Sequence, residues 1–540
     1  MPFETEAAKL SRRPFTFVRL DFDNPSSAQG FEYHCTDLPP HGQQMFPSIE
    51  NRSGIDPAPT RMDIASGLGY RGNVRITFKD FIYGDRGTYW GKLLAANPYY
   101  LDRPITIYEG FYDGGPFNIS DFKQKLYFIK KISGPDSNGV VVLTAASILT
   151  MLDNDQAKTP NKSAGSLVSS ITASSTGITD IGDNTGFDPA GGICVVNSEY
   201  IRYSGTSGVD SIVIDSGADR GVFGTTADDH SAGDSVFHCF SFENENVVDV
   251  IRRLIDEQSP IDASTYINDT DWNAVRDDYL PGQIMTGVVT PTEDTKDVID
   301  KLCEQGYVSV WWSEEDQEIK LEAIGPVISP TTTLNKISHI LGEGEKPERD
   351  PTKAISAVLV FYGIRNPEED HEDPKNYQYS YFKPDAEAVA GNGTKIKTIY
   401  ADYIPGSGLS SATRIAARTL SQYAQGLFTY TFQVDAKDSL LKVGQRANID
   451  TDKIQDSEGF NELSSFIIIE RDRQREPSRY QYKAIKTGFL IEAGYRKIAP
   501  DSMSAVTYAT ATDEQRAEYA FIADDTTNEM SNGDPPTLIL

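Results

Sequence analysis

Hydrophobic and polar residues alternate with a period of two through much of the first 160 residues. Val74, Ile76 and Phe78 alternate with Arg75, Thr77 and Lys79, and Ile105 and Ile107 with Thr106 and Tyr108. A strand points successive side chains to opposite faces, so this pattern predicts strands buried on one side. Phe15, Phe17 and Leu20 open another strand after Pro14, and short apolar runs at 126–129 and 140–143 fit buried strands. Such strands, closely spaced between Gly, Pro and Asp turns, predict a β-barrel or sandwich over residues 1–160.

The texture changes three times further on. Residues 158–192 are rich in Ser, Thr, Gly and Asp and carry no helical period. Strands are expected at 193–196, 199–203 and 212–214, giving a small β, OB-like module inserted at 161–241. Val247, Val250, Ile251, Leu254 and Ile255 then fall on one helical stripe, with Asn244 or Asn246 placed to cap it. A second helix starts at Thr292 or Thr295 and buries Val298, Ile299, Leu302 and Cys303, with Gly306 expected to end it in the left-handed conformation. A hairpin follows, with Ile319, Leu321 and Ala323 alternating on its return strand, so residues 242–343 predict an α+β middle domain. Residues 344–497 return to strands: an apolar run at 355–362, the shared face of Tyr377, Tyr379 and Tyr381, and the alternation of Phe428, Tyr430, Phe432 and Val434. One helix interrupts them, with Ala412, Ile415, Ala416 and Leu420 inward and Gly426 as its stop. A second barrel is expected there, followed by an acidic tail at 498–540. The fold class is therefore mainly β with an α+β middle: two barrels, a small β insertion and a helix–hairpin domain.

Charge narrows the function classes. The 540 residues hold 79 acidic and 50 basic side chains, a formal charge of −29. A protein that reads nucleic acid by neutralising phosphates needs the opposite balance; an acidic conduit through which DNA slides without sticking remains open. Cys35, Cys194, Cys239 and Cys303 are too scattered for a sequence-local zinc or iron–sulfur motif and read as reduced core thiols. The N-terminal residues are charged and read as no signal peptide, and no apolar run is long enough to predict a spanning helix.

Candidate chemistry is sparse. The run Glu368, Glu369, Asp370, His371, Glu372 and Asp373 has the ligand types of a metal site, but adjacent ligands rarely converge on one ion, and the flanking prolines make it an exposed loop. Asp450, Asp452, Asp456 and Glu458 miss the register of a calcium loop, because Ile454 takes a ligand position and Asn461 the place of the bidentate Glu. Glu314, Glu315 and Asp316 sit consecutively on a turn, whereas a glycosidase needs two carboxyls across a cleft. The six histidines lie in no hydrolase or zinc-protease motif. No catalytic residue, cofactor or metal is expected.

One segment is more specific. Glu199, Tyr200, Ile201, Arg202 and Tyr203 precede Asp219, Arg220, Gly221, Val222, Phe223, Gly224, Thr225 and Thr226, with His230 and Gly233 beyond. This resembles the small β insertion of phage tail-tip and hub proteins, in which Arg220, Gly221, Gly224, Thr225, His230 and Gly233 would form the structural turn motif. The order barrel, insertion, αββ middle and barrel is similar to the family of the T4 baseplate hub and the siphophage tail-tip hub, with hub-type barrels. The resemblance implies a homotrimer that joins and closes a hexameric tail tube. It also implies the distal tail or tube protein, the C-terminus of the tape measure and a tip or fibre protein as partners, with transient, non-specific DNA passage, in a virion assembled in the host cytoplasm. A rival reading, a receptor- or carbohydrate-binding tail-tip module, rests on Tyr200, Tyr203 and the aromatic strand at 377–381. A secreted hydrolase lacks every motif it needs.

Overall fold

The structure, a computed structural model, describes residues 7, 13–22, 31–50, 55–56, 59–64, 67–69, 72–153, 157–160, 163–290, 293–323, 332–456, 458–473, 479–487, 495–498, 506–512, 515–516, 519–521, 530 and 538–539. Much of the 498–540 tail lies outside them, as does Thr292.

The alternating segments form a seven-stranded antiparallel sheet. Its spatial order is Glu32–Cys35, Pro14–Leu20, Pro104–Phe111, Lys123–Ser133, Val140–Ala146, Asn73–Lys79 and Ile55–Asp56. Val74, Ile76 and Phe78 point inward as their alternation requires. The helix Tyr89–Ala96, which period-two reading passes over, sets Tyr89, Trp90 and Leu93 into that inner core. The short segment at 46–50 joins the two sides of the sheet. Cys35 N–H donates to the Phe46 carbonyl at 2.8 Å, and Glu50 N–H donates to the Thr77 carbonyl at 2.9 Å. The sheet is thus curled and partly closed, a half-barrel rather than a barrel with a continuous strand ladder.

The insert pairs Gly177–Asp180, Ser211–Ile214 and Gly205–Ser207 in one small sheet, and Glu199–Tyr203, Gly192–Val196 and Val236–Asn246 in another. The eleven-residue strand Val236–Asn246 leaves the insert and pairs with Ile284–Val289, carrying the insert onto the middle of the molecule.

Asn246, rather than Asn244, caps the helix Val247–Glu257 by accepting the Val248 N–H. A helix at Asp269–Tyr279 packs beside it through Trp272, Val275 and Tyr279. The next helix runs Thr295–Gly306, and here the expectation for Gly306 is corrected: Tyr307 takes the left-handed conformation, at φ 58°. Gly306 serves packing instead, since a Cβ there would lie 2.7 Å from a Val247 methyl. The hairpin Val308–Ser313 and Glu318–Ala323 follows. A three-stranded sheet, Tyr377–Pro384, Ala357–Ile364 and Ile396–Ala401, and the helix Leu409–Tyr423 share one continuous core with these helices and the hairpin.

The second seven-stranded sheet is drawn from both sides of that unit. Its order is Thr333–Asn335, Arg446–Asp450, Ser464–Arg473, Arg479–Lys486, Leu427–Asp435 and Ile340–Asp350, and Thr60–Arg61 from the N-terminal region adds to Ser464–Arg473. Glu345 links its two sides: Oε2 accepts hydrogen bonds from the Tyr430 hydroxyl at 2.6 Å and the Thr451 hydroxyl at 2.9 Å. This sheet too is curled and partly closed. Among the described residues, no helix is long and apolar enough to cross a membrane.

Candidate functional site

The motif of the insert converges on Glu199. Its carboxylate is 1 % exposed and accepts five hydrogen bonds. Arg220 donates to both oxygens, Nε at 2.6 Å and a terminal nitrogen at 2.8 Å; the Gly221 and Asp228 N–H groups each donate at 3.0 Å; His230 Nε2 donates at 2.7 Å. The Arg220 fork also donates to the carbonyls of Thr172, Ser175 and Asp228. The Asn197 amide nitrogen lies 3.4 Å from His230 Nδ1. Burial pushes the Glu199 carboxyl up, but Arg220, the Asp228 N–H and His230 outweigh it and hold it below the ordinary range. The result is a closed knot of charge with every fork filled, the arrangement of a structural clamp.

Of the other motif residues, Thr225 stands beside this knot. Thr225 Oγ1 accepts from the Tyr200 N–H at 3.0 Å and donates to the Val222 carbonyl at 2.8 Å. Gly221 and Gly224 both have positive φ, 61° and 85°. Gly233 lies apart, in the turn that leads into Val236–Asn246, where its N–H bonds the Leu167 carbonyl. Gly224 faces outward to the body: a Cβ on it would stand 2.2 Å from the Arg365 carbonyl oxygen. Gly224→Ala is therefore expected to lower the stability of the docked insert by about 3 kcal/mol, combining the left-handed backbone cost with overpacking. Thermal unfolding followed by hydrogen exchange in the insert checks this, and an unchanged midpoint would remove Gly224 as a docking point.

Between insert and body lies a cavity of about 200 Å³ lined by Phe223 and Gly224 on one side and by Gly287, His371, Gln378, Asp402 and Gly406, among others, on the other. The acidic loop at 368–373 borders it. The loop is not wholly solvated: His371 Nδ1 lies 2.8 Å from the buried Asp402, and Glu368 accepts a hydrogen bond from Tyr200. Tyr200 and Tyr203 are 0 % and 1 % exposed, so neither ring is free to stack on a sugar, while Tyr379 is half exposed.

A second constellation joins the two large sheets through the hairpin turn. Glu315 accepts from Arg471 at 2.9 Å and lies 3.9 Å from Lys123. Glu314 accepts from the Thr60 hydroxyl at 2.6 Å, and its carbonyl accepts from the Leu126 N–H at 3.0 Å. Lys125 pairs with Glu109 at 3.0 Å, Arg471 also donates to the Ser439 carbonyl, and Asp316 pairs with Lys442. Glu314 is thus buried between the sheets, and Glu315 and Asp316 are half-buried beside it. Burial pushes Glu314 up to about 7. Burial acts the same way on Glu315, but the charges of Arg471, Lys123 and Lys125 outweigh it and bring that carboxyl down to about 2. Burial and the Arg471 charge push Lys123 down to about 7. The four cysteines are buried free thiols. Among the described residues no group of three or more His, Cys, Asp or Glu is placed to hold a metal ion.

No family model matches the chain. No curated protein matches its sequence. Among solved structures it is similar to a tail protein from Neisseria meningitidis, at 12 % identity over 78 % of this chain and 89 % of that one, with a TM-score of 0.39. It is similar to the 43 kDa tail protein of prophage MuSo2 from Shewanella oneidensis, at 9 % identity over 80 % and 94 % of the two chains, TM-score 0.39. A third similar structure is the prophage tail protein gp18 from Listeria monocytogenes, at 10 % identity over 87 % and 94 %, TM-score 0.38.

Proposed function

We propose that this chain is a structural virion protein, a homotrimeric hub of a phage tail tip or baseplate, and not an enzyme. The observation that carries this reading is the pair of curled seven-stranded sheets in one chain, joined at the 308–323 hairpin by the largely shielded Arg471–Glu315–Lys123 charges and the Thr60–Glu314 hydrogen bond. One copy brings two comparable curved units in a fixed relation, so three copies around an axis bring six, the number a six-fold tube requires of its neighbour. The Glu199 motif supports the same reading through the resemblance of the insert. In this role the chain joins and closes the tube, meets the distal tail or tube protein, the tape measure's C-terminus and a tip or fibre protein, and forms the channel for DNA ejection. The net charge of −29 suits a channel that repels phosphate.

The test is mass and symmetry. Cryo-electron microscopy of particles, with light scattering on the purified chain, is expected to find three copies on the tail axis below the tube. A peripheral position, or a chain that stays monomeric and has no affinity for tube protein, overturns the hub reading.

A further inference from the structure

Residues 365–377 leave the strand Ala357–Ile364 and return as Tyr377–Pro384, reaching the insert and the body on the way. At the insert, the Arg365 carbonyl faces Gly224 and Glu368 accepts from the Tyr200 hydroxyl. At the body, the Tyr377 hydroxyl lies 2.5 Å from Asp402 Oδ1 and 2.7 Å from the His371 carbonyl. The loop is laced internally by Asn376, whose amide accepts from the Asn366 N–H and donates to the Asn366 and Asp370 carbonyls.

His371 closes the body end. Nδ1 lies 2.8 Å from Asp402 Oδ2, and Nε2 lies 2.8 Å from the Pro367 carbonyl oxygen. A carbonyl oxygen only accepts, and so does a carboxylate oxygen. Both ring nitrogens must then donate, and of the imidazole forms only the imidazolium can do so. We propose that residues 365–377 form a proton-held strap: with His371 protonated the ring ties the loop to both Asp402 and the Pro367 carbonyl and holds the insert against the body, and loss of that proton leaves one donor for two acceptors and loosens the body end.

The charges around the ring agree in sign. The Asp402 hydrogen bond acts most strongly and favours the proton, burial opposes it, the Asp402 charge and the Pro367 carbonyl favour it, and Lys301 opposes it. The outcome lies above the ordinary histidine value. Lys301 stands 3.9 Å from Asp402 Oδ2 and is itself engaged by Glu293 at 3.2 Å. The strap carries Glu368, Glu369, Asp370, Glu372 and Asp373, and the insert brings Tyr200 to Glu368. A histidine whose folded value is raised contributes stabilisation that is complete below its unfolded value of about 6.5 and is lost as pH rises through the folded value. The ring is 31 % exposed and, with Asp402, lines the 200 Å³ cavity, so it exchanges protons without unfolding. None of this depends on the hub reading.

The test uses the full chain. Hydrogen exchange, corrected for the intrinsic pH effect, is followed in peptides covering 222–225 and 365–377 at about pH 6 and about pH 9. Wild type is expected to exchange roughly tenfold faster at the higher pH, and His371→Gln to be fast at both without a step. Glu368→Gln is expected to loosen the insert end and keep the step. Imidazole NMR of the wild type is expected to show His371 protonated on both nitrogens at about pH 6.5; this reading alone decides the matter if the variants fail to fold. A neutral ring at that pH, a wild type without the step, or a step that survives His371→Gln overturns the proposal.

Discussion

Glu199→Ala is expected to unfold the insert while the two large sheets stay assembled. The substitution strands the Arg220 guanidinium, whose side chain is 0 % exposed, and leaves the Gly221 and Asp228 N–H groups and His230 Nε2 without their acceptor. Removing one partner of a buried ion pair costs about 3–5 kcal/mol, because the remaining charge stays desolvated. A small module has little stability to spare against that loss. Limited proteolysis is expected to cut the variant within 163–235 and spare the rest. Glu199→Gln keeps the shape and part of the hydrogen bonding, so it is expected to fall between the two. Acid has the same effect by another route: a carboxyl held below its ordinary value contributes stability above that value, which is lost as pH falls through the folded one. An Ala variant as resistant as the wild type would show that the knot is dispensable.

Arg471→Ala is expected to separate the two sheets, at a lower cost of about 3 kcal/mol, since the half-buried Glu315 would keep Lys123 but lose its closest cation. Trp311 and Trp312 lie in the hairpin strand next to this turn, so their fluorescence in urea reads the junction. The expected result is an earlier transition for that signal. The double variant Glu315→Ala, Arg471→Ala is expected to recover part of the loss, which a single packing defect would not do. The adjacent carboxyls also split by pH. Glu315 supports the junction above its ordinary value and withdraws that support as pH falls towards about 2. Glu314 works in the opposite sense: its folded value of about 7 means that the junction weakens as pH rises from the ordinary carboxylate range towards 7.

The strands buried on one face were readable because their pattern is local. Val74, Ile76 and Phe78 carry their own period, and so do Tyr430, Phe432 and Val434. The helix Asp269–Tyr279 was not readable, because Trp272, Val275 and Tyr279 are set among Asp, Asn and Thr and give too thin a stripe. The turn motif of the insert was legible as Arg220, Thr225, His230 and three glycines, with Glu199 read only as the first residue of the strand before it and not as the organiser. Glu199 is one acid at the head of a strand, and its partners Arg220 and His230 stand 21 and 31 positions away. Glu314 and Glu315 read as turn residues because charge at a hairpin tip usually means solvent. Their burial comes from Thr60, Lys123 and Arg471, all remote in sequence. Tyr200 and Tyr203 looked available as ring platforms because an aromatic strand face gives no sign of what covers it.

The strand Thr60–Arg61 imposes an order on synthesis. It pairs with Arg471 and Glu470, about 400 residues later in the chain, whereas Ile55–Asp56 just before it belongs to the first sheet. A ribosome releases residues 60–61 long before their partner exists. The first sheet can form early, but the segment leading out of it must wait for this pairing until about 400 further residues have emerged. Truncated chains that stop before residue 470 therefore carry an open strand end, a place for other unfinished chains to attach.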